Sequence, residues 1–217
     1  MKIIGHRGAA GVATENTLPS IRKAVAAKAD FVEIDIRKTR DNKIVVSHDD
    51  SLLRVFGVRL KISAHTLKEL HTVCPELPTL ENALTTMKSA GAIIEFKEFI
   101  EPNRVMSIIN KFNKKNVRFA SFNHNLLRAI KKSNPDAFCY VLEHHSPFEI
   151  INKARKMHMN GIGLNYGVIN PLTYFLARRD KMEIYIYTVN KKWIINVMGF
   201  FYPKAYICTD FPGLVKK

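Results

Sequence analysis

The chain has 217 residues, 47% of them apolar and 24% charged, which suits one sizeable globular core and excludes a disordered or low-complexity protein. The net charge of +15 is unevenly placed: residues 1–101 hold 15 Lys and Arg against 13 Asp and Glu, whereas residues 102–217 hold 19 against 6. Such a surface draws polyanions, but no zinc-finger, basic-zipper or RNA-binding aromatic signature accompanies it, so no specific nucleic-acid partner is expected.

Strand-like and helix-like segments alternate along the chain. Residues 2–6 read as a short strand, 18–28 as a helix, 31–37 as an alternating strand and 43–47 as another short one. Segments 67–73 and 80–89 read as helices, the second with Thr79 as its N-cap. Strand 92–97, helix 103–114, strand 117–122, helix 125–132 and strand 137–142 follow. The remainder continues as helix 147–158, strand 161–165, helix 171–179, strand 183–189, helix 191–202, strand 205–209 and a vestigial last helix over 211–217. Gly161-Ile162-Gly163 lies in a strand rather than ahead of a helix, so it is not a dinucleotide fingerprint.

Eight main strands, each followed by helix-forming sequence, imply a parallel sheet, and eight units favour a closed (β/α)8 barrel over a doubly wound sheet. Residues 48–78, after the second main strand, are the one substantial insertion, and no linker divides the chain, so a single domain over 1–217 is expected. Cys74, Cys139 and Cys208 stand far apart without ligand-like spacing, which suits a reducing compartment. The first residues run straight into a polar motif and no apolar run of about 18 residues occurs, so a cytoplasmic protein is expected.

Polar, titratable residues gather at the strand ends. His6 and Arg7 end the first strand, Glu33 and Asp35 leave one face of the second, and His48 and Asp49 follow the short strand. Glu95 and Lys97 repeat the two-residue spacing, while Thr188, Asn190 and Asp210 end the last two strands. In a barrel all of these converge on the C-terminal mouth. Carboxylates inside apolar strands are costly unless paired or metal-bound, and three of them meeting there argue for one hard divalent cation, Mg2+ or Ca2+.

The ordered blocks Gly5-His6-Arg7-Gly8, Glu15-Asn16-Thr17, Glu33-Ile34-Asp35, His48-Asp49, Leu77-Pro78-Thr79-Leu80-Glu81-Asn82, Ile94-Glu95-Phe96-Lys97, Thr188-Val189-Asn190 and Thr209-Asp210-Phe211-Pro212 resemble the signature of the glycerophosphodiester phosphodiesterase family. The resemblance implies a (β/α)8 TIM barrel that hydrolyses small-molecule glycerophosphodiesters to an alcohol and glycerol phosphate. It implies Glu33, Asp35 and Glu95 as metal ligands, His6 and His48 as the acid–base pair, and Arg7 and Lys97 as phosphate ligands. It also implies a path in which His6 takes the proton of a neighbouring substrate hydroxyl, His48 protonates the departing alcohol, and a cyclic glycerol phosphate is then opened by water. Asn16 is expected to buttress His6 or cap the first helix, His124 to touch substrate, and Asn190 to order its loop. His65, His71, His144, His145 and His158 read as structural or surface residues.

The chain departs from the family where Arg54-Val55-Phe56-Gly57 replaces an Arg-Thr-Thr-x-Gly run and Tyr187 replaces a frequent Trp. Both changes bear on the alcohol group of the substrate. Phospholipase D-like or sphingomyelinase D-like cleavage of lipid diesters is the rival chemistry, and a non-catalytic binder of anionic membranes or nucleic acid is the rival class. Intact histidines and carboxylates count against the binder. Helix 191–202, from Lys191 to Tyr202, is apolar nearly all round (KKWIINVMGFFY), where an outer barrel helix should keep a polar face. Burial against neighbours, a homo-oligomer interface and a membrane-resting face all fit that pattern.

Overall fold

The computed structural model describes residues 1–112 and 115–215. Its strands are β1 (Lys2–Gly5), β2 (Phe31–Lys38), β3 (Ile44–Val46), β4 (Gly91–Phe96), β5 (Val117–Ser121), β6 (Phe138–Glu143), β7 (Gly161–Asn165), β8 (Glu183–Tyr187) and β9 (Tyr206–Thr209). All but β3 run parallel, and the sheet closes because β1 pairs with both β9 and β2. The expected (β/α)8 barrel is thus present, with β3 hung antiparallel on β2. The helices are α1 (Leu18–Ala26), α2 (Leu53–Phe56), α3 (Leu67–Val73), α4 (Leu80–Thr86), α5 (Pro102–Lys111), α6 (His124–Ser133), α7 (Pro147–Lys156), α8 (Pro171–Arg179) and α9 (Lys192–Phe201). The last two residues of the expected helix 103–114 lie outside the described residues. The vestigial last helix is a single 3-10 turn, Pro212–Leu214, and residues 216 and 217 of that expectation are also outside.

Local chemistry sets the helix starts. Thr17, Thr66 and Thr79 each close a capping box with the residue three further on, and Pro opens α5, α7 and α8. The strands are buried on both faces, as parallel barrel strands must be. Residues on one face, Val32, Ile34, Ile94 and Ile162 among them, pack under the helices, while Ile4, Phe31, Ile93, Tyr140, Tyr185 and Cys208 fill the barrel interior. Gly91 and Gly161 belong to the interior set for a steric reason: a Cβ on Gly91 would stand 2.3 Å from the Phe31 ring, and one on Gly161 2.6 Å from that of Tyr140.

The floor of the barrel is a paired charge. Arg118 on β5 donates to Glu183 at 2.9 Å and to the Tyr140 hydroxyl at 3.1 Å, and Tyr206 donates to the same carboxylate at 2.9 Å. The guanidinium also lies 4.2 Å from the Phe31 ring centroid and 4.7 Å from that of Phe138. The insertion has its own small core, in which Leu52, Ile62, Leu70, Cys74 and Leu77 pack with Val45 of β3.

Helix α9 buries Ile195 but turns Trp193, Val197, Phe200 and Phe201 outward, at 64%, 40%, 80% and 58% exposure. That spacing is one helical stripe. Burial against neighbours therefore does not account for its outer face.

Candidate active site

The period-two alternation that fills the barrel delivers polar groups at the mouth. Glu33 and Asp35 of β2 and Glu95 of β4 are all buried, and each offers an oxygen within 4.8 Å of the others'. Their neighbours are built to hold them. The turn after β1 takes left-handed backbone at Arg7 (φ 47°) and Gly8 (φ 86°), and this aims the Arg7 N–H at Glu33 Oε2, 2.7 Å away. Only glycine fits the second position, since a Cβ there would meet Ser20 Oγ at 2.3 Å. Asn16, also left-handed (φ 55°), donates to Asp35 Oδ2 at 2.8 Å and accepts from the Asp35 N–H at 3.2 Å. It therefore holds a carboxylate, neither touching His6 nor capping α1, whose cap is Thr17.

Positive charge is short here. Lys97 Nζ lies 2.5 Å from Glu95 Oε1 and 3.5 Å from Asp35 Oδ1. Arg7 donates to Glu15 at 2.8 Å, while its Nε stands 3.4 Å from Asp35 without a hydrogen-bonding angle. Glu33 Oε1 has no hydrogen-bond partner at all among the described residues. Burial, followed by the Asp35 charge, pushes the Glu33 carboxyl up to about 8. Burial and Asp35 raise Glu95 too. An orphaned buried oxygen and carboxyls forced toward protonation mark a site that fits a hard divalent cation with oxygen ligands.

Two histidines face this cluster, each oriented by a carboxylate. His6 Nδ1 is 2.6 Å from Asp210 Oδ1, and His48 Nδ1 is 2.7 Å from Asp49 Oδ1. A carboxylate on Nδ1 assigns the proton to that nitrogen and leaves Nε2 for chemistry. Asn190 accepts from the Asp210 N–H at 2.9 Å and donates to its carboxylate, so it serves His6 through Asp210. Asp49 accepts from Arg54 Nε at 2.6 Å, and the same guanidinium grips both oxygens of Glu15, the partner of Arg7. The rings differ in charge preference. Burial lowers the proton affinity of His6, but the Asp210 hydrogen bond and the Glu33 charge outweigh it, and the net is a rise. For His48, burial outweighs the Asp49 hydrogen bond and the net is a fall.

A cavity of about 330 Å3 joins these groups. His6, Arg7, His48, Glu95 and Lys97 form one side; Phe122, Leu142, His144, Asn165, Tyr187 and Thr188 line the other. His144 stacks on Phe122 with ring centroids 4.3 Å apart. His124 is not in this cavity; it lines a neighbouring one, its Nε2 3.5 Å from the Leu142 carbonyl. Sequence reasoning points to Tyr187 but misses Phe122, Asn165 and His144, the last read as structural or surface, although the signal exists: each continues the inward count of its strand by one more step of two.

The profile of the glycerophosphoryl diester phosphodiesterase family matches residues 6–214. The chain belongs to that family. Among relatives, a glycerophosphodiester phosphodiesterase of Bacillus altitudinis is 29% identical, with 100% of this chain aligned to 97% of that protein. A human lysophospholipase D is 32% identical over 71% of this chain and 48% of its own length. The structure of a Thermotoga maritima glycerophosphodiester phosphodiesterase superposes with a TM-score of 0.87 at 27% identity, covering 98% of this chain and 95% of that one. An Oleispira antarctica phosphodiesterase, crystallised with the product sn-glycerol-3-phosphate, shares the fold with a TM-score of 0.89 at 21% identity, over 98% and 94% of the two chains.

Proposed function

We propose that the protein hydrolyses glycerophosphodiesters to glycerol phosphate and an alcohol in this cleft. One observation carries the reading: two carboxylate-oriented histidines share a single cavity with Arg7, Lys97 and Glu95, and Glu95 belongs to a buried cluster of three carboxylates. Glu33, Asp35 and Glu95 hold a divalent cation, Mg2+ or Ca2+, which when bound neutralises charge that grows on the phosphate. Arg7 binds two phosphate oxygens through its fork, and Lys97 meets a third as a point charge. A bound phosphate takes over Lys97 from Glu95, freeing that carboxylate for the cation.

The histidines divide the proton work. His48, with its lowered affinity, is the readier acceptor and takes the proton of the free substrate hydroxyl beside the ester. His6, with its raised affinity, is the better donor and gives its proton to the departing alcohol. The resemblance alone implies the opposite order; the charges around the two rings favour this one. Attack by the neighbouring hydroxyl gives a cyclic glycerol phosphate, which water opens as the rings exchange roles, and such intramolecular attack is worth roughly 7–11 kcal/mol in good geometry. Three buried, unpaired thiols accord with a cytosolic setting.

A second reading, lysophospholipase D-type cleavage, is favoured by the exposed α9 stripe flanked by Lys191 and Lys192, which suits peripheral contact with anionic bilayers. Among the described residues no helix is long and apolar enough to cross a membrane. Metal-supplemented turnover of glycerophosphocholine against lysophosphatidylcholine tests both readings. Choline release from the first substrate is expected; its absence, with glycerol phosphate undetected, would sink the main reading, and exclusive turnover of the lysolipid would install the second.

A further inference from the structure

Beside the cleft lies a second cavity of about 430 Å3, and Phe122 lines both. Its walls come from the start of α6, with Asn123, His124 and Arg128, and from the end of α7, with Lys153 and Lys156. No lining residue is acidic. The three fixed cations are not equivalent. Lys153 Nζ stands 3.3 Å from Glu149 and 3.7 Å from Glu143, so its charge is already answered. Arg128 and Lys156 form no ion pair among the described residues. The backbone at the start of α6 is also spoken for, because the Asn123 side chain accepts from the N–H groups of Asn125 and Leu126. Anion binding in this cavity therefore falls to Arg128 and Lys156.

We propose that this cavity is a subsite for a second anionic group of the substrate, a phosphate or carboxylate carried by the departing alcohol. The inference rests on the diesterase reading. Lys97, which meets the scissile phosphate in that reading, has its Nζ 5.9 Å from the Phe122 ring centroid, so the phosphate site adjoins the shared wall. Phe122, with His144 stacked on it, is the wall the two cavities share; Arg7 and Lys97 line the first among carboxylates, and Arg128 and Lys156 line the second basin without any. Glycerol itself bears only hydroxyls, so a second anion must sit on the other alcohol. A choline or ethanolamine headgroup gains nothing from the second basin, and an alcohol bearing phosphate gains a charge-assisted contact there. The cleft then sorts diesters by the charge of what leaves.

The test compares glycerophosphoinositol with glycerophosphoinositol phosphate, a pair differing by one phosphate, with glycerophosphocholine as reference. It uses the metal-supplemented protein and its Arg128→Gln/Lys156→Gln variant. The phosphorylated substrate is expected to have a kcat/KM about tenfold higher, mostly through KM, a preference the variant loses and high salt shrinks. Glycerophosphocholine turnover should stay within about twofold in the variant. Equal kcat/KM for the pair, or a preference that survives in the variant, would overturn the proposal. Inorganic phosphate is the control for a free ion: inhibition of glycerophosphocholine turnover that the variant abolishes would make the cavity a site for free phosphate instead. If no diester is cleaved at all, the diesterase reading falls, and calorimetry with glycerophosphoinositol phosphate decides the subsite separately. A Kd about tenfold weaker in the variant supports it, and equal Kd values reject it.

Discussion

At the floor of the barrel, Arg118 is matched by Glu183, two tyrosine hydroxyls and a stack of rings, all within a few ångströms. At the mouth, Glu33 and Asp35 of β2 and Glu95 of β4 crowd together, and one oxygen of Glu33 is left without a partner among the described residues. The period-two alternation is common to both ends; the floor charges are partly buried and paired, whereas the mouth carboxylates are more deeply buried and incompletely paired. A matched buried charge makes the fold specific and durable. An unmatched one is held in place by the rest of the structure and marks where an ion and a substrate complete the set.

The largest effect expected at the mouth is chemical. His48→Ala should cost about 10²–10⁴ in kcat with little loss of stability, measured by turnover and thermal melting side by side. His6→Ala should cost as much with a choline ester but far less with a nitrophenyl ester, whose leaving group needs no proton. Rescue of His48→Ala instead would reverse the proposed order of base and acid.

At the floor the expectation inverts. Arg118→Met leaves the partly buried Glu183 without its cation; breaking a fully buried pair costs about 3–5 kcal/mol, and partial exposure brings the expected loss here below that range. Urea melts should show that loss while kcat of the remaining folded protein stays near normal. A collapse of kcat at full stability would erase the contrast between the two ends.

Third in size is a linkage at Glu33. Its carboxyl, near 8 in the fold and 4.5 as its ordinary value, binds a proton more tightly folded than unfolded. The metal-free protein should therefore lose stability as pH rises from about 4.5 toward 8, the reverse of a salt-bridged acid. Cation binding expels that proton, so affinity should climb up to about tenfold per pH unit below 8 and level off above it. Glu33→Gln should flatten the stability slope, and chelation should abolish turnover. A metal titration indifferent to pH, or full activity in excess chelator, would disprove the unmatched-charge account.

The smallest effect concerns the outer wall. Trp193, the lone tryptophan, should blue-shift on adding anionic vesicles and ignore neutral ones. No change with either would leave the α9 stripe without a lipid role.

The mouth was more legible than the floor, for a physical reason. Charged residues at two-residue spacing inside FVEIDIR and AIIEFKE conflict with burial, and such a conflict is visible in one segment. Arg118 raises no conflict locally, because its partners Glu183 and Tyr206 lie 65 and 88 residues away. The same holds for the groups that orient the histidines. Asp210 is 204 residues from His6 and reaches it only because β9 pairs with β1. Asn16 was recognisable as a motif residue, but its left-handed backbone, which turns it to Asp35 rather than His6, follows from the fold of the loop.

His48 follows β3, beside the insertion whose Leu52, Ile62, Leu70, Cys74 and Leu77 bury one another and Val45 instead of joining the barrel interior. His6 belongs to the barrel. The two rings thus stand beside separate bodies of packing, spanned across the top by Arg54 between Asp49 and Glu15. His48 is nonetheless tied to the barrel at its base, because Arg37 of β2 donates to its carbonyl at 2.8 Å and the Ser47 N–H donates to the Asp35 carbonyl at 3.0 Å. Substitutions deeper in the insertion can therefore be absorbed there while this hinge stays fixed. The insertion behaves as an exchangeable jaw on a fixed anvil, the part of the chain where descendants can reshape what the cleft accepts while the anvil keeps its chemistry.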